Sequence, residues 1–224
     1  MIRFAVDTAF EQLSMALIEN NTILARYHSA DRRRNASILF QKLDELMVHA
    51  GIKPNTIDNF VINQGPGSYT GLRIGVAAAK GICFAQDIPL IGVNTLEIMV
   101  APFFNKNEYD YLIPMLDARR MEVYSAIFDT KKRYIQKTNA FVLSENSFFD
   151  KVENGSCLVI GNGASKFKTL KPKINAHFNE EHFPSAIDMC GISWFHYKDG
   201  KFENLALFEP YYLKDFQTQN PKKK

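Results

Sequence analysis

One stretch of this chain occurs twice. VDTAFEQLSMALIENN, beginning at Val6, aligns without gaps on LDARRMEVYSAIFDTK, beginning at Leu116, so that Asp7 falls on Asp117, Ala16 on Ala126 and Glu19 on Asp129. A second match follows at a slightly smaller offset, where Val61-Ile62-Asn63-Gln64-Gly65 lies on Val159-Ile160-Gly161-Asn162-Gly163. Chance apolar alternation would rarely repeat the same features in the same order, so the chain reads as a duplicated unit. The competing reading is two unrelated hairpins. Each half runs strand, Asp, hairpin, then strand, glycine loop, helix. The polar Asn105-Lys106-Asn107-Glu108 is the natural joint, giving expected units at 1–104 and 105–224.

The local patterns fill in this plan. Ile2 to Val6, Leu13 to Ile18 and Ile23 to Tyr27 read as three strands, the last two a hairpin around Asn20-Asn21. Leu39, Leu43, Leu46, Met47 and Ala50 recur at helical spacing, with Gly51 as C-cap. Phe60 to Asn63 reads as a buried strand, Thr70 to Ala85 as a helix, Leu90 to Val93 as a strand, and Thr95 as the cap of another helix. A duplicated unit of three strands followed by alternating helices and strands predicts an α/β fold of the actin-like (ASKHA, ribonuclease H-like) type, two mixed sheets flanked by helices.

Between the fourth strand and its helix lies GPGSYTGLRIG, Gly65 to Gly75. A strand-to-helix loop of this kind turns backbone amides around Gly67, Ser68, Tyr69 and Thr70 towards a helix N-terminus, a geometry that suits anions. Gly65 and Gly67 are expected to supply positive φ on either side of Pro66, and Ser68 and Thr70 to offer capping hydroxyls. The loop is not a Walker loop, which needs Lys followed by Ser or Thr after its last glycine. It is not a GxGxxG fingerprint either, because Thr70 occupies the third glycine position. The helix then carries Gly71, Gly75 and Ala79 at four-residue spacing, with Ala78 nearby and Ile74 and Ile82 as apolar neighbours. Each glycine costs roughly 1 kcal/mol against alanine in a helix, so something must pack closely against this side. A neighbouring subunit and the rest of the same chain are equally open readings.

Composition narrows the class. The chain is 46% hydrophobic and 23% charged, ordinary for a globular protein, and its formal charge of +3 does not by itself argue for nucleic acid. Arg32-Arg33-Arg34 and Lys222-Lys223-Lys224 are the cationic runs, and no aromatic residues interleave with them as a single-strand platform requires. Cys83, Cys157 and Cys190 are scattered and flanked by apolar residues, which fits reduced core thiols and a cytoplasmic protein. No secretory h-region fits before Asp7, and no run is long enough to span a membrane.

GPGSYTGLRIGVAAAKG, VDTAFEQLSMAL, LDARRMEVYSAIFD, GNGA at Gly161 to Ala164 and PYYLK at Pro210 to Lys214 together resemble the TsaB (YeaZ) family over nearly the whole chain. The resemblance implies an actin-like fold and a role as non-catalytic scaffold or activating subunit in tRNA N6-threonylcarbamoyladenosine biosynthesis. It also implies partnership with a catalytic TsaD-like paralogue and a TsaE-like ATPase, homodimers when alone, and tRNA contact mainly through the complex. The first helix and the glycine-rich helix would then bundle with their equivalents in the partner, making Gly71, Ile74, Gly75, Ala78, Ala79 and Ile82 the interface candidates.

Catalytic readings fare worse on the residues. The catalytic paralogue is known for metal-holding histidines on the helix after the hairpin, and Asn35-Ala36-Ser37-Ile38-Leu39-Phe40-Gln41 has none. His177 and His182 flank Glu180-Glu181 but form no ligand spacing, so no metal is expected. Asp7 and Asp117 end the first strand of each half, where actin-like ATPases place carboxylates. Asp7, Thr8, Gly65, Gly67, Ser68, Tyr69, Thr70, Asp117 and Arg119, with Arg120 beside it, are therefore the nucleotide-cleft candidates of a degraded cleft. No cofactor is expected on the chain alone, and ATP or ADP is left open for the assembled complex. An independent actin-like ATPase or small kinase is the alternative, and a glycoprotease-like peptidase the third reading, although Ser68 sits in no GxSxG elbow.

Overall fold

The computed structural model describes residues 1–10, 12–29, 35–152 and 154–214, with the backbone alone for 35–37. The cationic runs Arg32-Arg33-Arg34 and Lys222-Lys223-Lys224 lie outside the described residues. Among the described residues, ten strands form two five-stranded mixed sheets with the same internal order. The first contains β1 (Ile2–Asp7), β2 (Ser14–Glu19), β3 (Thr22–His28), β4 (Asn59–Gly65) and β5 (Leu90–Asn94), ordered β3-β2-β1-β4-β5. The second contains β6 (Tyr111–Asp117), β7 (Glu122–Asp129), β8 (Tyr134–Val142), β9 (Cys157–Ile160) and β10 (Ala176–Asn179), ordered β10-β9-β6-β7-β8. In each sheet an antiparallel hairpin pair is followed by parallel strands, β1 beside β4 and β6 beside β9. The duplication read from the sequence is thus a duplication of topology, and the fold is the expected actin-like one.

Helices α1 (Asn35–Ala50) and α2 (Tyr69–Gln86) cover one face of the first sheet. Period-two alternation explains why: Phe4 and Val6 of β1 point to these helices, together with Leu13, Met15 and Leu17, and meet Leu39, Leu43, Leu46 and Met47 of α1. Each fully buried side chain of this size contributes about 1.5–3 kcal/mol. The opposite face carries the smaller Ala5, Ala16 and Val61, against which α6 (Met189–Lys198) lays Met189 and Ile192. Between the sheets lies α3 (Thr95–Val100). Its Ile98 joins the first sheet's core, and Leu96, Met99 and Val100 join Leu112, Leu116 and Phe128 of the second. The second sheet's other face is closed by α4 (Phe149–Val152) and α5 (Ala164–Thr169) through Val152 and Phe167.

Two local expectations change. The cap of α3 is Asn94, whose side chain accepts from Leu96 N at 2.9 Å. Thr95 is instead fully buried and donates its hydroxyl to Asn63 Oδ1 at 2.6 Å. Cys83 and Cys157 are buried core thiols, each pushed up to about 12 by burial, whereas Cys190 is only half-buried at the rim of α6. No helix among the described residues is long and apolar enough to cross a membrane.

Candidate functional site

The site is built where β1, β4 and α2 converge. Asp7, at the end of β1, is 1% exposed and its Oδ1 accepts from Ala9 N at 2.8 Å and from Asn63 Nδ2 at 2.9 Å. Asn63, on the neighbouring β4, in turn accepts from Gly65 N at 2.9 Å and from Thr95. One amide side chain therefore ties the carboxylate, the glycine loop and the first turn of α3 into a single buried network. Burial raises the Asp7 carboxyl to about 7, the charge of Asp188 pushing the same way and the Ala9 and Asn63 hydrogen bonds opposing. Burial likewise raises Asp188 to about 6 against the hydrogen bond from Ser185.

The glycine loop fits around the β1–β2 turn by omission of side chains. Gly65 has φ +113°, as expected, and follows with a cis bond to Pro66. Gly67 does not have the expected positive φ. It is glycine because a Cβ there would lie 2.6 Å from Ala9 O and 2.7 Å from Ala9 Cβ. Ser68 caps α2, accepting from Gly71 N at 3.3 Å, and gives its own N–H to Ala9 O at 2.7 Å. One of the amides expected to face an anion is thus spent on the β1–β2 turn. The second half repeats the device: Gly161 has φ +103°, and a Cβ on Gly163 would meet the Met115–Leu116 backbone at 3.1 Å.

The small face of α2 looks inward. A Cβ on Gly71 would stand 2.0 Å from Thr8 O, and one on Gly75 would stand 2.1 Å from Thr8 Oγ1 and 3.1 Å from Ile62 Cδ1. Ala79 is fully buried. For Gly71, Gly75 and Ala79 the expectation of a partner surface is corrected: the chain's own β1–β2 turn and β4 already fill that side. Ile74 is part of the same core margin. Ala78 and Ile82 instead line an apolar groove of about 430 Å³ between α1 and α2, with Phe40, Leu43, Met47, Gly81 and Ala85. Phe40 and Phe84 on these helices are 57% and 83% exposed. Gly81 differs from its neighbours, since a Cβ there meets nothing within 4 Å. Gly81→Ala is accordingly expected to raise the unfolding free energy by up to about 1 kcal/mol through helix propensity alone, measured by urea denaturation.

Asp117 and Arg119 fall in a second cluster. Asp117 is exposed and accepts from Lys166 Nζ at 2.6 Å and from Arg119 N at 2.6 Å, in contrast to the buried Asp7. Arg119 and Arg120 both have positive φ in the β6–β7 turn, which presents their side chains to solvent. The C-terminal segment joins the two clusters. Lys80 of α2 donates to Phe208 O, Tyr211 N donates to Gln64 O at 2.7 Å, and Lys214 pairs with Glu122. Tyr69, expected beside a nucleotide, packs against Tyr212 of this segment at 4.9 Å between centroids, and Thr70 is exposed at the start of α2. Asn63, Thr95, Asp188 and Tyr212 were not among the site candidates read from the sequence. A polar residue closing the apolar run Phe60 to Ile62 was the signal for the first, whereas the others come from segments distant in the chain. Among the described residues no group of three or more His, Cys, Asp or Glu side chains is placed to hold a metal ion.

A family model described as "TsaD: tRNA N6-adenosine threonylcarbamoyltransferase" matches residues 23–198. The tRNA threonylcarbamoyladenosine biosynthesis protein TsaB of Escherichia coli (strain K12) is 29% identical over 218 residues, 94% of each chain. The chain belongs to the TsaB (YeaZ) family. The TsaB of Bacillus subtilis (strain 168) is 33% identical over 138 residues, 61% of this chain and 59% of that one. Among solved structures, YeaZ from Pseudomonas aeruginosa superposes with a TM-score of 0.82 at 21% identity, covering 95% of this chain and 99% of that one, a likeness of fold.

Proposed function

We propose that this chain serves tRNA threonylcarbamoyladenosine biosynthesis as a non-catalytic scaffold or activating subunit that docks a catalytic TsaD-like paralogue through the α1–α2 groove. The names of its relatives support the pathway, and the groove is the observation that carries the docking role. Phe40 lines this apolar groove while 57% exposed, and Val48 and Phe84 stand exposed on the same two helices; exposed apolar surface of this kind marks an interaction site. Burying the two phenylalanines contributes about 1.5–3 kcal/mol each. The same surface serves a second copy when the paralogue is absent, so homodimer and heterodimer compete. A TsaE-like ATPase and tRNA join through the assembled complex, and any ATP or ADP binds there.

The test is co-elution of the purified chain with the TsaD-like paralogue, with and without ATP. Phe84→Glu is expected to abolish co-elution while the thermal midpoint stays within about 2 °C of the parent, because exposed side chains change stability little. Undiminished co-elution of Phe84→Glu together with Phe40→Glu would remove the groove from the interface. Steady ATP hydrolysis by the chain alone, abolished by Asp7→Ala, would favour the independent ATPase instead.

A further inference from the structure

A band of cations and aromatic rings runs from the start of α2 to the β6–β7 turn, and neither the buried network nor the α1–α2 groove uses it. Arg73 places its guanidinium 4.1 Å from the Tyr69 ring centroid and 5.9 Å from that of Tyr212, and its Nε donates to the Tyr212 hydroxyl at 3.1 Å. Tyr211 and Tyr212 are 40% and 37% exposed. Lys214 lies 5.9 Å over the Tyr124 ring while paired with Glu122, and Lys166 lies next to both Glu122 and Asp117. Arg119, whose charge acts on the same Tyr124 hydroxyl, and Arg120 complete the band at the turn. Among the described residues, the ion pairs of these cations are Lys166 with Asp117 and Lys214 with Glu122. The backbone of the segment that carries Tyr211 and Tyr212 is tied to the end of β4 through Tyr211 N.

We propose that this band is a platform for single-stranded RNA, with bases stacking on the tyrosine and guanidinium planes and phosphates meeting Lys214, Arg119 and Arg120. The inference rests on the RNA-modification reading above and deepens it by assigning RNA contact to this subunit. Stacking on an aromatic or guanidinium plane is tolerant of sequence and requires unpaired bases, so a loop is favoured over a duplex. Unlike the terminal lysine run, this band interleaves rings with charge.

The experiment is fluorescence anisotropy of a labelled tRNA anticodon stem-loop with the full chain, alone and with the TsaD-like paralogue, at about 50 and 200 mM salt. Tyr211→Ser with Tyr212→Ser is expected to weaken binding about tenfold with little change in salt dependence. Arg119→Asn with Arg120→Asn, which tolerates the left-handed turn, is expected to lower the salt slope by roughly two. This second variant lies away from the C-terminal segment, so it reports on RNA even if the tyrosine variant loosens the fold. Absence of wild-type binding at low salt in both settings, or variants that bind as the parent does, overturns the platform. Loss of co-elution with the paralogue by the tyrosine variant, with RNA binding intact, assigns the band to a protein contact and also overturns it. Co-elution of the parent with the paralogue is scored in the same samples, so failure of the docking role is seen separately.

Discussion

Gly75→Leu is expected to destabilise the folded chain by about 3 kcal/mol or more, at the upper end of overpacking penalties. The first added atom already stands 2.1 Å from Thr8 Oγ1 and 3.2 Å from Thr8 Cβ, and the neighbours that would have to yield are a turn and a central strand. Thr8 is itself 1% exposed, so it has no solvent to move into. Ala77→Leu, two residues further along α2 on the exposed side that lines the groove, is the control and is expected to stay folded. Urea denaturation followed by circular dichroism measures both. A Gly75→Leu protein that unfolds at the parent's midpoint but no longer co-elutes with the paralogue would show that the helix packs against another subunit after all.

The second large effect is a pH dependence opposite in sign to that of an ordinary salt-bridged carboxylate. The Asp7 carboxyl sits at about 7 in the folded chain against an ordinary 3.8, because its buried surroundings disfavour the charged form. Its contribution to stability is fully present below the unfolded value and is lost as the pH rises through the folded one. Asp188, raised to about 6, acts in the same direction and is exhausted earlier. The parent is therefore expected to lose stability between about pH 4 and 7, by on the order of 4 kcal/mol for Asp7. His182 and His196, both lowered by burial, oppose this near the upper end, so the difference between proteins is the cleaner readout. Asp7→Asn keeps an acceptor for Ala9 N and Asn63 Nδ2 and has nothing to ionise. Its stability relative to the parent should rise across that window, and a difference that does not change with pH would refute the assignment.

Much of the architecture was legible because repeats and periodicity are local properties. The paired Asp-hairpin segments predict two sheets of like topology, and the Leu39 to Ala50 spacing predicts the helix that covers the first of them. The Gly65 φ was legible for the same reason, since Pro66 and a strand-to-helix turn leave few conformations. What failed were statements about which surface a residue faces when its neighbour is remote. Gly67 read as a position of positive φ, and Gly71 and Gly75 as a bare helix side whose covering was left open, yet each is glycine because the β1–β2 turn, some sixty residues earlier, leaves no room for a Cβ.

The candidate site divides the same way. Sequence alone marked Asp7 and Asp117 as equivalent, because the repeat that carries them is equivalent. Only the tertiary structure made one a buried, hydrogen-bonded acid and the other an exposed partner of Lys166. Asn63 from β4, itself held by Thr95, bonds to Asp7, and Asp188 from a later segment acts on it by charge, while Asp117 lies exposed at the end of β6 with Lys166 as its partner. Strand order, loop positions and family follow from patterns within a few dozen residues. Burial, proton affinity and the choice between an internal and an external helix face are set by which distant segments pack together, and these the chain specifies only once it has folded.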